Sequence, residues 1–200
     1  MVHYLEEYLS EHPYIDYFKT NIQECMSVLF TGAQNDLEKA KAAYLYVRDE
    51  IPHSFDCKAT VITAKASDVL LHRTGICHAK ANLLAALLRP QGIPVGFRFQ
   101  HITLLDDDSM GYCVHCYNAI YLENRWIEVD ARGNTNGINA QFSTEEPVLA
   151  FPNRPQYDEF VWKGVFAVPH SKTMRMLEAS KTIQDVMKKL PDDIGDMKIE

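Results

Sequence analysis

The sequence predicts an α+β fold in a single domain, with helices first and an antiparallel sheet after them. Apolar residues recur at helical spacing as far as Arg89, and the period shortens to two beyond Gly92. With 200 residues and 46% hydrophobic content, the chain can bury one substantial core. We therefore expect the N-terminal helices to pack on a sheet formed by the second half of the chain.

Six helices are predicted from apolar spacing and from the residues that interrupt or end them. Pro13 separates the first two, Gly32 stops the second, Pro52 follows the third, and Pro90 with Gly92 closes the fifth. The predicted helices span residues 4–9, 15–30, 36–50, 65–72, 76–89 and 173–190. A polar tail follows Pro191, and we expect it to be mobile.

Four strands are predicted where apolar and polar residues alternate or where β-branched and aromatic residues cluster. They span residues 93–103, 112–122, 125–130 and 161–168. The second and third are joined at Glu123-Asn124 by a tight hairpin, residues 106–109 form a turn, and residues 133–141 form a loop rich in Asn and Gly. The sheet is therefore predicted to be antiparallel.

Cys77 is the most informative residue of the chain, because it stands where the turn at Gly75 passes into a helix. Unpaired backbone N–H groups and the helix macrodipole favour a thiolate at that position. His115 and Asp130 follow in the order nucleophile, base and orienting carboxylate. This order predicts cysteine-based chemistry, with the backbone N–H of Cys77 as the first donor to an oxyanion.

Strand geometry predicts that the side chains of His115 and Asp130 lie close together. Alternation along the strand 112–122 places positions 113, 115, 117 and 119 on one face. With a hairpin at residues 123–124, we expect the residue opposite His115 to fall within residues 128–130, so that Asp130 lies within reach of the imidazole.

Other interpretations of the same residues are open. Cys77 alone is compatible with a buried structural cysteine, His115 with an ordinary strand histidine, and Asp130 with a strand-end turn. Cys113 and Cys116 form a C-x-x-C pair that is compatible with a zinc site or a redox pair. A second ligand pair is missing from the sequence, and the alternation of side chains along a strand sends the two thiols to opposite faces. Neither the zinc site nor the redox pair is therefore favoured.

The motifs around these positions resemble the transglutaminase-like superfamily between about residues 42 and 132. The resemblance rests on Ala66-Ser67-Asp68-Val69-Leu70, Gly75-Ile76-Cys77, Gly92-Ile93-Pro94, His115-Cys116-Tyr117 and Trp126-Ile127-Glu128-Val129-Asp130. It implies a papain-like α+β core in which Cys77, His115 and Asp130 form a catalytic triad. The implied reaction is acyl transfer from an amide, through a thioester, to water or to an amine.

The chain also departs from the superfamily pattern at three positions. Arg98 lies later after the Gly-Ile-Pro than the arginine common in the superfamily, Ala119 replaces a common glutamate, and His53 stands where an aromatic residue is common. Sequence alone therefore leaves the substrate and the role of residue 53 open.

We expect hydrolysis, as in a peptidase or amidase, because the 200 residues show no companion β-sandwich and no acidic loop resembling a calcium site. Protein-glutamine amine transfer and a non-catalytic peptide-binding role are the alternatives. The expected division is a helical cap at 1–35, a catalytic core at 36–170, and a C-terminal helix and tail at 171–200.

Composition restricts the partners. A net charge of −7 disfavours nucleic acids and anionic membranes, and the sequence shows no leader-like or membrane-spanning apolar run. We expect a cytoplasmic protein with no cofactor and no metal, acting on a peptide or amide-containing substrate. Five cysteines, an odd number, favour reduced thiols over a disulfide framework. Oligomeric state is not predicted.

Overall fold

The core of the protein is a four-stranded antiparallel sheet, which the computed structural model describes together with the rest of residues 3–104 and 108–195. The strands lie in the order β3-β2-β1-β4. Their bounds are β1, Val95–Thr103; β2, Tyr112–Leu122; β3, Arg125–Val129; and β4, Phe160–Val161. Leu122 pairs with Arg125 across Glu123 and Asn124, which both have positive φ, as a type I′ hairpin turn requires.

Helices cover this sheet, and the most central of them begins at Cys77. The α-helices are α1, Thr20–Leu29; α2, Asp36–Glu50; α3, Ala66–His72; α4, Cys77–Leu88; α5, Ser171–Ala179; and α6, Ile183–Lys189. Short 3-10 helices occur at His3–Leu9, Arg89–Gln91, Asp108–Met110 and Pro155–Tyr157. From His78 to Leu88 every residue of α4 is buried, because this helix packs between α2, α3 and strand β2. The predicted α+β class is confirmed.

Two of the predicted N-terminal elements have different limits. The segment 4–9 is a 3-10 helix, and α1 starts at Thr20 rather than at residue 15. Asp16 explains the later start, because its carboxylate accepts hydrogen bonds from the backbone N and the hydroxyl of Ser67, at 3.0 and 2.5 Å. The residues before α1 therefore bind the N-terminus of α3 instead of continuing a helix.

The C-terminal predictions were wrong in two places. The strand predicted at 161–168 is reduced to β4 and a bridge between Phe97 and Phe166, because Gly164 bends the chain with a φ of 90°. The helix predicted at 173–190 is two helices, since Thr182 starts α6 with a capping box that includes Asp185. Of the turn predicted at 106–109, residues 106 and 107 lie outside the described residues.

The segment after α6 is attached to the sheet as far as the structure describes it. The carbonyl of Pro191 accepts a hydrogen bond from the backbone N–H of Val114 in β2, at 2.8 Å. The carbonyl of Val114 in turn accepts from Nε2 of His78, at 2.9 Å. Both main-chain groups of Val114 are therefore bonded within the chain, and α6 is held over this part of β2.

Among the described residues, no helix combines the length and the apolar character that a membrane crossing requires.

Candidate active site

Helix α4 places Cys77 at its first position. Ile76, the residue before it, is extended, and a Cβ at Gly75 would lie 3.2 Å from Cβ of Ala79 and 3.3 Å from Val69. Glycine therefore permits the chain to turn closely against α3 and α4 before the helix begins. Cys77 is only partly buried, so the thiol stands at the electropositive end of a helix that is otherwise closed to solvent.

The structure brings His115 and Asp130 into direct contact. Nε2 of His115 lies 2.8 Å from Oδ2 of Asp130, and their side chains are 3% and 1% exposed. The backbone N–H groups of Ala150 and Arg132 also donate to this carboxylate, at 3.0 and 3.1 Å. The carboxylate is thus fixed by three donors, and Nδ1 of His115 is left for the thiol.

The strand register that achieves this contact differs from the predicted one. The last pair of the β2–β3 ladder is Asn118 with Val129, so the next positions along the two strands are Tyr117 and Asp130. Asp130 therefore lies diagonally from His115 instead of opposite it. The diagonal contact is possible because Asp130 follows the end of β3 and its side chain reaches back along β2.

Cys77 and His115 face each other across the site, and each shifts the pKa of the other. Burial disfavours the thiolate, but the charge of the His115 imidazolium outweighs it, so the pKa of Cys77 is lowered. Burial also disfavours the imidazolium, but the charges of Asp130 and Cys77 raise the pKa of His115. Both shifts favour a thiolate–imidazolium pair near neutral pH.

His53 occupies a position that sequence reasoning left without a role. Its Nε2 accepts a hydrogen bond from the backbone N–H of Cys77, at 3.1 Å. Burial and then the charge of Arg132 hold the pKa of His53 well below its ordinary value, so the imidazole is neutral near pH 7. The N–H predicted to be the first oxyanion donor is therefore bonded to His53 in this structure.

Lys80, one turn beyond Cys77, is a second residue that sequence reasoning missed. The side chain is buried, and Nζ donates to the carbonyls of Ile51 and of Arg132, the latter at 2.8 Å. Burial lowers the pKa of Lys80 to about 7. The lysine thus ties the segment that carries His53 to the segment that follows Asp130. A charged residue inside an apolar helix was the available sequence signal.

A cavity of about 550 Å³ opens beside the thiol. Cys77, His115 and His53 form part of its wall, and Cys113 lines it as well. Burial raises the pKa of Cys113 to about 12, so this thiol is protonated near neutral pH. All five cysteines are free thiols. Within residues 3–104 and 108–195, no cluster of three or more histidine, cysteine, aspartate or glutamate side chains could hold a metal ion.

The architecture defines the class of protein: an α+β core, with a cysteine helix packed on an antiparallel sheet. Residues 25–131 match the family model of the transglutaminase-like superfamily. The chain belongs to this superfamily, as the sequence motifs predicted.

Curated relatives match part of the chain. The chain is 26% identical over 123 residues to the kyphoscoliosis peptidase of Mus musculus, and the match covers 56% of this chain and 18% of the mouse protein. With the Homo sapiens kyphoscoliosis peptidase the identity is 25% over 138 residues, covering 62% of this chain and 20% of the human protein. The matches thus span about a fifth of each curated relative. A crystal structure described as a candidate cysteine protease from Cytophaga hutchinsonii is 20% identical, with a TM-score of 0.48, over 64% of this chain and 42% of that one.

Proposed function

We propose that the protein hydrolyses amide bonds in peptides or other amide-containing substrates, with Cys77 as the nucleophile. The observation that carries the proposal is the 2.8 Å contact of His115 with the buried carboxylate of Asp130, with the imidazole and the thiol of Cys77 on the wall of one cavity. A nucleophile, a base and a residue that orients the base are the three parts that acyl transfer requires.

In the proposed reaction, the thiolate of Cys77 attacks the carbonyl carbon of the amide and forms a tetrahedral intermediate. The imidazolium of His115 then gives its proton to the leaving amine, and a thioester remains on Cys77. Water attacks the thioester carbonyl while His115 takes a proton from the water; the carbon–sulfur bond then breaks, which releases the acid and restores the thiolate of Cys77 beside the imidazolium. Asp130 holds the imidazole in one orientation and stabilises its charged form.

The oxyanion of this intermediate needs a hydrogen-bond donor, and the backbone N–H of Cys77 is placed to supply one. Because that N–H donates to His53 at 3.1 Å, the imidazole of His53 must release it before the oxyanion can bind. We therefore include movement or a tautomer change of His53 in the proposed cycle.

Hydrolysis is proposed ahead of amine transfer because both curated relatives carry the name peptidase. The match covers about a fifth of each relative, so the proposal concerns the chemistry of this chain and no named substrate. Amine transfer to glutamine and peptide binding without turnover are the alternatives that an experiment has to separate.

A single incubation can separate these three functions. Wild type, Cys77→Ala and Cys25→Ala are incubated with a complex peptide mixture and a fluorescent primary amine, and products are identified by mass spectrometry. Cys25 lies on α1, outside the cavity, and serves as the matched cysteine control. We expect new peptide termini or deamidated side chains with wild type and Cys25→Ala, and none with Cys77→Ala.

The other outcomes overturn the proposal in different ways. Fluorescent amine on peptides without new termini would establish amine transfer by the same thiol. Peptides retained by the protein without any product, equally with wild type and Cys77→Ala, would establish the binding role.

A further inference from the structure

The walls of the cavity away from Cys77 are mainly apolar and come from distant parts of the chain. They include side chains from the end of β1, from the loop before the last 3-10 helix, and from α6. The residues that matter here are Ile102, Leu104, Phe151, Pro152, Met187 and Leu190. Four of these six lie beyond residue 131, where the superfamily match ends.

The charged groups that reach the cavity are paired within the protein. Arg132 makes a two-point contact with Asp56, at 2.6 and 3.0 Å. Arg154 contacts Glu159 at 2.7 Å, and Glu159 is buried. Because each charge has an opposite charge beside it, the cavity offers little net attraction to an acidic or basic side chain. Desolvation of such a side chain would go uncompensated.

We infer that this cavity is a subsite for a bulky aliphatic or aromatic side chain of the substrate, next to the amide that Cys77 attacks, with α6 as its outer wall. The inference rests on the proposed function. The volume of about 550 Å³ is ample for one large side chain and its neighbour. Release of water from an apolar surface favours apolar side chains.

Helix α6 is fixed well enough to act as a wall. Thr182 and Asp185 cap its N-terminus, Val186 is fully buried, and Pro191 bonds to Val114 just after its end. Met187 is 43% exposed and lines the cavity, which places it at the rim. A charge introduced at this position would therefore change the cavity while leaving the buried side of α6 intact.

The test uses peptidyl acyloxymethyl ketones that share one backbone and differ only in the side chain beside the reactive carbon: leucine, phenylalanine, alanine, aspartate or lysine. The second-order rate of Cys77 modification is measured for each, with the site mapped by mass spectrometry. Each rate is divided by the rate with iodoacetamide, which carries no such side chain. We expect the leucine and phenylalanine probes to exceed alanine by at least about 10-fold, and aspartate to be the slowest.

Two variants connect this preference to α6. In Met187→Glu the leucine-to-iodoacetamide ratio should fall by about 10-fold and the lysine ratio should rise. Met110→Glu introduces the same charge at a methionine that is 60% exposed and outside the cavity, so its ratios should match the wild type.

The failures are distinguishable. Equal ratios for all five probes, or a Met187→Glu profile identical to wild type, would overturn the subsite while leaving Cys77 an active nucleophile. A Cys77 that reacts with neither iodoacetamide nor the ketones would overturn the proposed function, and the subsite with it.

Discussion

Replacement of Asp130 by asparagine tests how the carboxylate acts on the thiol. Asp130 favours the imidazolium of His115 through a 2.8 Å contact, and its negative charge also opposes the thiolate of Cys77. Removing the charge therefore has two opposite effects on the pKa of Cys77. The effect through His115 should be the larger, because Asp130 touches the imidazole directly and acts on the thiolate from beyond the ring.

The magnitude follows from the contact. A buried hydrogen bond to a charged group contributes about 1.5–3 kcal/mol. The amide oxygen of asparagine keeps a neutral hydrogen bond to His115, which contributes about 0.5–1.5 kcal/mol, so the loss is about 1–1.5 kcal/mol. One pH unit corresponds to about 1.36 kcal/mol, so the apparent pKa of Cys77 should rise by up to about 1 unit in Asp130→Asn. The amide oxygen of the asparagine can take the place of Oδ2 and accept from His115 and Ala150. The amide NH₂ then takes the place of Oδ1 and faces the backbone N–H of Arg132. That unpaired donor should lower the free energy of unfolding by about 1–3 kcal/mol.

The assay is the rate of iodoacetamide labelling of Cys77 from pH 4 to pH 10, with urea denaturation to verify that the variant is folded. Asp49→Asn is the matched control, since Asp49 is 45% exposed and its carboxylate pairs with Arg48. Its profile should equal that of the wild type. An apparent pKa in Asp130→Asn that is unchanged, or lower than in wild type, would refute the reasoning, because it would show that repulsion of the thiolate dominates.

Two further predictions concern stability. In Gly96→Ala the new Cβ would lie 2.2 Å from the side chain of Val165 and 3.1 Å from that of Tyr8. The free energy of unfolding, measured by urea denaturation, should therefore fall by about 1–3 kcal/mol. An unchanged midpoint would contradict this. Burial lowers the pKa of His78 to about 3, so the folded state excludes a proton that the unfolded state binds below pH 6.5. This residue should therefore reduce stability by about 1.4 kcal/mol per pH unit as pH falls from 6.5 toward 3. His78→Leu loses the bond to Val114 but should show a shallower decline between pH 6.5 and 4.5, and a slope equal to wild type would argue against His78 as the cause.

The sheet and the cysteine helix could be predicted because their signals are local. The aromatic and β-branched residues between Tyr112 and Leu122, with Glu123-Asn124 after them, indicate a strand and a turn within a dozen residues. The position of Cys77 at the start of a helix is likewise indicated by the glycine turn before it and the apolar run after it. The superfamily motifs lie within the same elements, which is why the resemblance and the fold agree.

The parts that could not be predicted depend on contacts between distant segments. The bond from the N–H of Cys77 to His53 joins residues 24 positions apart, and Lys80 reaches a carbonyl 52 positions away. Neither contact leaves a periodic pattern in the sequence. The break between α5 and α6 was missed for a different reason, because the apolar spacing continues across it while the cap at Thr182 is decided by one hydrogen-bonded pair.

The bond between Val114 and Pro191 also limits how the protein can associate with other extended chains. Strand β2 has no β3 partner alongside Val114, and an unpaired stretch of strand is a template for addition of a foreign strand. Here Pro191 and His78 take both main-chain groups of Val114. Because proline has no N–H to donate, the segment at Pro191 cannot extend this contact into a ladder with β2. At Val114, next to His115, the edge of β2 therefore offers no free main-chain group to a foreign strand.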